Sequence, residues 1–351
     1  MAKIKLVLSF DYELPLGGTK NYKKGLFEPT EQLLSLAHSL NVPISLFADI
    51  CSAEFFKKWD EKNYFIPFVN QLHTVLKGGN EVQLHIHPHW ITSKYENAEF
   101  VPSEDFMLGT FKKMPELYSI DKIIKNSANS LNDICSSAIP GYKCISYRAG
   151  GFNLEPNSDI IFNTLAENGI KIDSSIIKNY YWHTEFVTIN YHGMPKQANW
   201  FINNGELRKP SNIGIFEIPI AAKPKTFITN FPDKMRRKMH KERAYNHEGK
   251  GYGIKLGGLT LKDKLLQSIS PRMLTFDVHS HRVKDLISII VYNLKKYNEE
   301  GTIYLSVLSH PKAMGSYHFS LMKGFVDAIK LIYKNKVEFT RYKDISDELN
   351  L

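Results

Sequence analysis

The stretch Leu84-His85-Ile86-His87-Pro88-His89-Trp90 closes a β-rich run that begins near Glu81, and it sets three imidazoles at the end of one strand. Side chains alternate along a strand, so a continuing strand would put His85, His87 and His89 on one face. Pro88 makes a clean strand unsuitable beyond His87, and the chain must turn there. Neutral imidazole suits a zinc-type ion, and buried imidazoles without partners are costly, so the cluster reads as a metal claw. A catalytic zinc site needs three protein ligands and an open position. Two histidines and one carboxylate would supply them, and Asp11 and Glu13 are the nearest acids by topology.

The rest of the chain repeats this pattern. Strand-like runs at 3–10, 42–50, 81–86, 143–147, 169–173, 213–220, 273–278 and 302–308 alternate with helical periodicity at 30–40, 67–76, 121–137, 159–168, 283–297 and 320–333. The helix before the imidazoles starts at Pro67 because proline suits a first helical turn and breaks an interior. Such alternation implies a parallel sheet with right-handed crossovers. Seven or eight strands in this order fit a barrel, and the Gly-rich phosphate fingerprints of doubly wound sheets are missing. The expected architecture is one α/β domain over residues 1–351, with a basic, Gly-containing insertion at about 222–265 that includes Gly249-Lys-Gly-Tyr-Gly253.

Barrel active sites are built where strands end. The first run ends in Ser9-Phe10-Asp11-Tyr12-Glu13, the fourth in Tyr147-Arg148-Ala149-Gly150-Gly151-Phe152, the fifth in Asp173-Ser174-Ser175, and the last in Leu308-Ser309-His310-Pro311. Asp11 beside Glu13 is a like-charged pair that needs a cation or an arginine, and Arg148 would serve. The Gly-Gly pair after Arg148 lets the backbone approach a ligand closely. Trp90 and Phe152 are aromatic faces suited to a sugar ring or to packing. Asp277, His279 and His281 form a further strand-end cluster.

Composition narrows the classes. The chain has 351 residues with 43% hydrophobic and 23% charged content, as in ordinary globular proteins. No run approaches the roughly 18 apolar residues of a membrane span. The N-terminus passes from a strand-like run straight into two acids, without the h-region of a signal peptide. Three cysteines without CxxC spacing argue against a disulfide framework or a Cys-zinc site. The net charge of +9 is partly local, in Lys234-Met-Arg-Arg-Lys-Met-His-Lys-Glu-Arg243. Base-reading motifs are absent, so no nucleic-acid partner is expected. Arg236 and Arg237 suit bidentate phosphate contacts, and Lys238 adds less directional charge, for a carrier-linked substrate or an anionic membrane.

Taken together, these segments resemble the NodB-homology polysaccharide deacetylases of carbohydrate esterase family four, with motifs in the same order over about residues 3–345. The resemblance implies a distorted (β/α)7-8 barrel and a divalent ion, zinc foremost, held by Glu13, His85 and His89. It makes Asp11 the catalytic base, Arg148 its holder, Asp173 the acid after the fifth strand, and His310 the general acid. Trp90, Gly150 and Phe152 would line the substrate. The sequence departs from better-known members in three respects. Motif one lacks adjacent aspartates, motif three reads Arg-Ala-Gly-Gly-Phe, and His87 is a third imidazole, so His85 and His89 are chosen by spacing. The implied activity is removal of an N-acetyl group from a nucleotide- or lipid-linked amino sugar in surface-glycan or O-antigen biosynthesis. The implied location is the cytoplasm, extending to peripheral contact with the inner membrane face. The alternatives are a hydrolase of another amide or ester, and a catalytically silent glycan- or phosphate-binding protein.

Overall fold

Strand β1 (Lys3–Val7) and strand β2 (Ser9–Tyr12) are two halves of one run, broken at Leu8, and the break sets up the whole barrel. The computed structural model describes residues 2–19, 21–96, 99–225, 227–243 and 259–351. The Gly249–Gly253 segment therefore lies outside the described residues. The lower half, β1, lies between two parallel partners, Thr302–Ser306 and Val337–Thr340. The upper half, β2, pairs instead with β3 (Ser45–Asp49), which pairs with β4 (Glu81–Ile86). The series continues in parallel through Ser146–Ala149, Ile172–Asp173 and Ile215–Glu217 to an antiparallel edge at Trp200–Ile202.

This is the expected distorted (β/α)7-8 barrel, with a ladder that does not close continuously. Between Glu217 and Thr302 the ring is spanned by an isolated bridge, Ile220 to Ser306, and a second bridge joins Phe10 to Ser309. The stretch expected as a strand at 273–278 fills this gap irregularly. Only Arg272–Met273 is extended, paired antiparallel with Ala222–Lys223. Leu274 nevertheless donates its N–H to Ala221 and accepts from Leu308. The helix and strand boundaries otherwise fall within a few residues of expectation. Helices Ile50–Trp59, Leu261–Ile269 and Tyr342–Leu349 and strand Val337–Thr340 add to the expected elements. No described helix is long and apolar enough to cross a membrane.

One buried cluster fills the base of the barrel with Val7, Phe47, Ile172, Phe216, Ile218 and Tyr304, closed by Tyr342 and Ile345 of the last helix. That helix starts on the buried Glu81, whose carboxylate accepts the Tyr342 and Lys343 N–H groups at 3.0 and 2.8 Å. A carboxylate at a helix N-terminus is favourable because the first N–H groups lack intrahelical partners. A larger apolar layer lies between sheet and helices. With both layers packed, polar side chains are left to gather at the upper, C-terminal ends of the strands.

Candidate metal and catalytic site

Alternation along β2 sends Ser9 and Asp11 to the same side, and Glu13 follows them just past the strand end. In β4 the same alternation brings His85 and His87 together. The ligand atoms of Glu13, His85 and His87 lie within 4.8 Å of one another, all buried. Glu13 Oε2 is 2.9 Å from His85 Nε2 and also contacts His87 Nε2. Lys312 Nζ holds the other oxygen, Oε1, at 2.7 Å.

His89, expected as the second imidazole ligand, stands apart. Pro88 ends the extended backbone and a short helical turn, His89–Thr92, begins. That turn swings the His89 ring toward the Leu16 carbonyl, 3.1 Å from Nε2, and onto Trp90 and Phe106. His87 takes the place beside His85, at the two-residue spacing of a strand. Burial lowers His89 to about 3, so it stays neutral. Trp90, expected against the sugar, is fully buried among Phe55, Phe56 and Phe100 and presents no open face.

Gly150 contributes space. A Cβ there would fall 2.3 Å from the Ile86 carbonyl oxygen and 2.8 Å from His87 Nδ1. Its absence lets the His87 ring settle against the neighbouring strand. We expect Gly150→Ala to push that ring aside and weaken divalent-ion affinity by about tenfold or more, the scale of lost outer-shell support. Calorimetric titration of the purified variant measures this, and unchanged affinity would detach Gly150 from the ligand geometry.

The cluster has the chemistry of a metal site. His85 Nδ1–H donates to the Arg148 carbonyl at 2.8 Å, which leaves Nε2 as the ligating nitrogen and fixes the ring. Burial alone would raise Glu13, but Lys312, His87 and His85 outweigh it and hold the carboxylate well below its usual range. His85 is depressed by burial and raised more strongly by Asp11 and Glu13, to about 9, so an arriving cation must displace its proton. Two imidazoles and one anionic carboxylate suit a zinc-type ion. Asp49, at the end of β3, supports the group by accepting the His87 N–H at 3.2 Å. Asp49 is not among the expected site residues, although it ends its strand much as Asp11 lies near the end of β2.

Beside the cluster lie two ion-paired dyads. Arg148 Nη1 donates to Asp11 Oδ1 at 2.7 Å. Its other donors reach the Ser174 carbonyl at 2.8 Å and the Ser9 and Ser174 hydroxyls at 2.8 and 3.1 Å, and its plane rests 4.2 Å from the Phe47 ring centre. Every side of the guanidinium is engaged, as a fully buried cation requires. His310 Nδ1 is 2.7 Å from Asp277 Oδ2, and its Nε2 faces Asp11 Oδ2 at 3.7 Å and Glu13 Oε1 at 3.6 Å. Burial would lower His310, but the Asp277 bond and charge, aided by Glu13 and Asp11, raise it above an ordinary imidazole. Asp277 thus belongs to the site, while the His281 ring bonds inward to the Thr275 carbonyl.

Asp173 sits behind this layer. It is fully buried and accepts the Ser175 N–H and hydroxyl at 3.0 and 2.7 Å. Its neighbour Glu217 is pushed well above the carboxylate range by burial and by Asp173. Ser175 in turn accepts the Ala149 N–H at 2.9 Å, which occupies a backbone donor next to the site. Asp173 therefore braces a strand end and does not reach the mouth. Phe152 is half-buried, its ring edge-on to Tyr180. In the basic run, Arg236 pairs with Asp233 and Asp285 and donates to the Ser280 carbonyl, whereas Arg237 and Lys238 are exposed.

No family model matches the chain, and no curated protein matches it. Solved structures do. A Mycobacterium smegmatis protein assigned as a polysaccharide deacetylase aligns over 99% of this chain and 90% of its own, at 12% identity and a TM-score of 0.50. The 4-alpha-glucanotransferase of Thermococcus litoralis aligns over 99% of this chain and 41% of its own, at 11% identity and a TM-score of 0.51. The alpha-amylase AmyC of Thermotoga maritima aligns over 98% and 74%, at 9% identity and a TM-score of 0.51. These similarities establish the fold class, a distorted (β/α) barrel shared by proteins named for different activities.

Proposed function

We propose that the chain is a metal-dependent hydrolase that removes the N-acetyl group of a carrier-linked amino sugar in the cytoplasmic stage of surface-glycan assembly, such as O-antigen biosynthesis. The observation that carries this reading is the placement of Asp11–Arg148 and His310–Asp277 side by side over Glu13, His85 and His87. A buried carboxylate base and a partly buried imidazole acid next to a three-ligand cluster are what amide hydrolysis requires and what simple binding does not. A bound divalent ion, zinc by the donor set, would polarise the acetamide carbonyl and lower the pKa of water.

The chain's own residues do the proton work. Arg148 occupies Asp11 Oδ1, so Oδ2 is the atom that takes the proton of the attacking water. His310 Nε2 delivers a proton to the departing amine, a poor leaving group until protonated. Asp277 steadies the imidazolium through Nδ1. The C–N bond breaks, the carbonyl carbon gains the water oxygen, and the products are acetate and a free amino sugar. Phe152, half open at the strand end, suits the sugar face, and Arg237 and Lys238 suit the phosphate of a carrier.

The test is acetate release by metal-reconstituted protein from a panel of N-acetylated nucleotide sugars and glycolipids. We expect release from at least one carrier-linked substrate, lost on chelation and restored by zinc. A protein that holds its ion and frees no acetate from any of them is not this enzyme.

A further inference from the structure

Helix Leu261–Ile269 is mounted with its polar face inward. Its N-cap, Thr260, forms a capping box with Asp263. Asp263 accepts the Tyr181 hydroxyl at 2.6 Å, Gln267 donates to the His183 carbonyl at 2.6 Å, and the Ser270 hydroxyl, just past the helix, donates to the Tyr181 carbonyl at 2.7 Å. These positions, at intervals of four and three, form one side of the helix. The opposite side carries Leu261, Leu265 and Ile269, which are 86%, 51% and 37% exposed. A helix of a globular protein ordinarily turns such a stripe to the core. Here the polar side does the docking and the apolar side faces outward.

The helix Phe227–Met239 repeats the motif nearby in sequence. Met235 and Met239, one turn apart, are exposed, with exposed Arg237 and Lys238 between them. This helix is pinned. Arg236 and Arg272 both pair with Asp233, Arg236 also faces Asp285 at 3.6 Å, and the Arg237 carbonyl contacts His279 at 3.2 Å. Lys262 and Lys264, also exposed, flank the leucine stripe.

An apolar stripe edged by lysine and arginine has the chemistry of an interfacial helix. The apolar residues enter the acyl boundary and the cations meet anionic headgroups. A soluble acidic protein would satisfy the charges, whereas a stripe of leucine and isoleucine with lysines on both edges matches the layering of acyl chains under anionic headgroups. We infer that the outward face of Leu261–Ile269, edged by Lys262 and Lys264, docks the protein on an anionic lipid surface. This deepens the proposed function, on which it rests, by favouring a lipid-linked over a nucleotide-linked sugar. Its test uses no substrate, so the two readings can fail separately.

The experiment is co-sedimentation of the full chain with vesicles of phosphatidylcholine alone or mixed with phosphatidylglycerol, at low and high salt. Binding to the mixed vesicles is expected, weaker at high salt and weakest on phosphatidylcholine alone. Leu261→Asp with Leu265→Asp should lower binding at least tenfold, and the milder Leu261→Ser with Leu265→Ser should lower it less. Lys262→Gln with Lys264→Gln should weaken binding and flatten its salt dependence. Unchanged circular dichroism and melting temperature show that the variants fold. The inference is overturned if the natural chain ignores anionic vesicles, or if the Asp pair binds as tightly as the natural chain. It is also overturned if the Asp or Ser pair lowers the molecular mass in sedimentation, which would make the stripe a contact between copies.

Discussion

Replacing His85 and His87 together by alanine is expected to abolish divalent-ion binding, while His89→Ala should leave it intact. The contrast follows from Pro88. Up to His87 the backbone keeps the two-residue alternation that aims both imidazoles at Glu13, and after Pro88 a helical turn carries His89 to the Leu16 carbonyl. The double variant retains one ligand of three, too few for a zinc-type site. Its turnover should fall with the ion to background. His89→Ala instead removes an aromatic contact with Trp90 and Phe106 and should lower the melting temperature with ion content unchanged. Metal analysis of the dialysed variants decides the matter. An ion retained by the double variant would place the site elsewhere, and an ion lost from His89→Ala would restore the four-residue spacing.

The second large effect is on the proton-transfer groups. Asp11→Asn and His310→Ala should each lower turnover by about a hundredfold or more, the usual scale for general acid–base groups, with the ion still bound. Asparagine keeps an oxygen for Arg148, so the Asp11 variant should remain folded. The acid has a signature in pH. His310 must hold its proton to act, so the rate should fall as pH rises through its raised pKa. Asp277→Asn removes the largest raising influence, and the alkaline limb should then move to lower pH. A limb that does not move takes His310 out of the acid role, and near-normal turnover in Asp11→Asn removes Asp11 as base.

The sequence exposed the site through a positional rule: polar residues that follow a β-rich run lie at the barrel mouth. Asp11, Glu13, Arg148 and His310 were legible for that reason, and the structure brings all four together. The choice between His87 and His89 was not legible, because it depends on which way the chain leaves Pro88. Asp173 and Trp90 show the limit of the rule from the other side. Both follow strands, yet packing against Glu217 and against a cluster of phenylalanines turns them inward. Lys312 lay two residues beyond His310 and carried no pattern of its own. The strand Val337–Thr340 was not legible because it is only four residues long, and its pairing with Lys3–Val7 is set by tertiary contacts.

That division has a consequence for synthesis. The Tyr342 hydroxyl, which follows the late strand, lies 3.0 Å from the Ser174 hydroxyl and 3.4 Å from Arg148 Nη2. A ribosome makes Asp11 and the imidazoles before the barrel floor at 337–349 that sets Arg148. Until the residues near 342 have emerged, the nascent chain carries its ligands on an open sheet, with Lys3–Val7 missing a neighbour. Completion of the fold therefore waits for the residues near 342, and a chain stalled before them would expose a strand edge to chaperones.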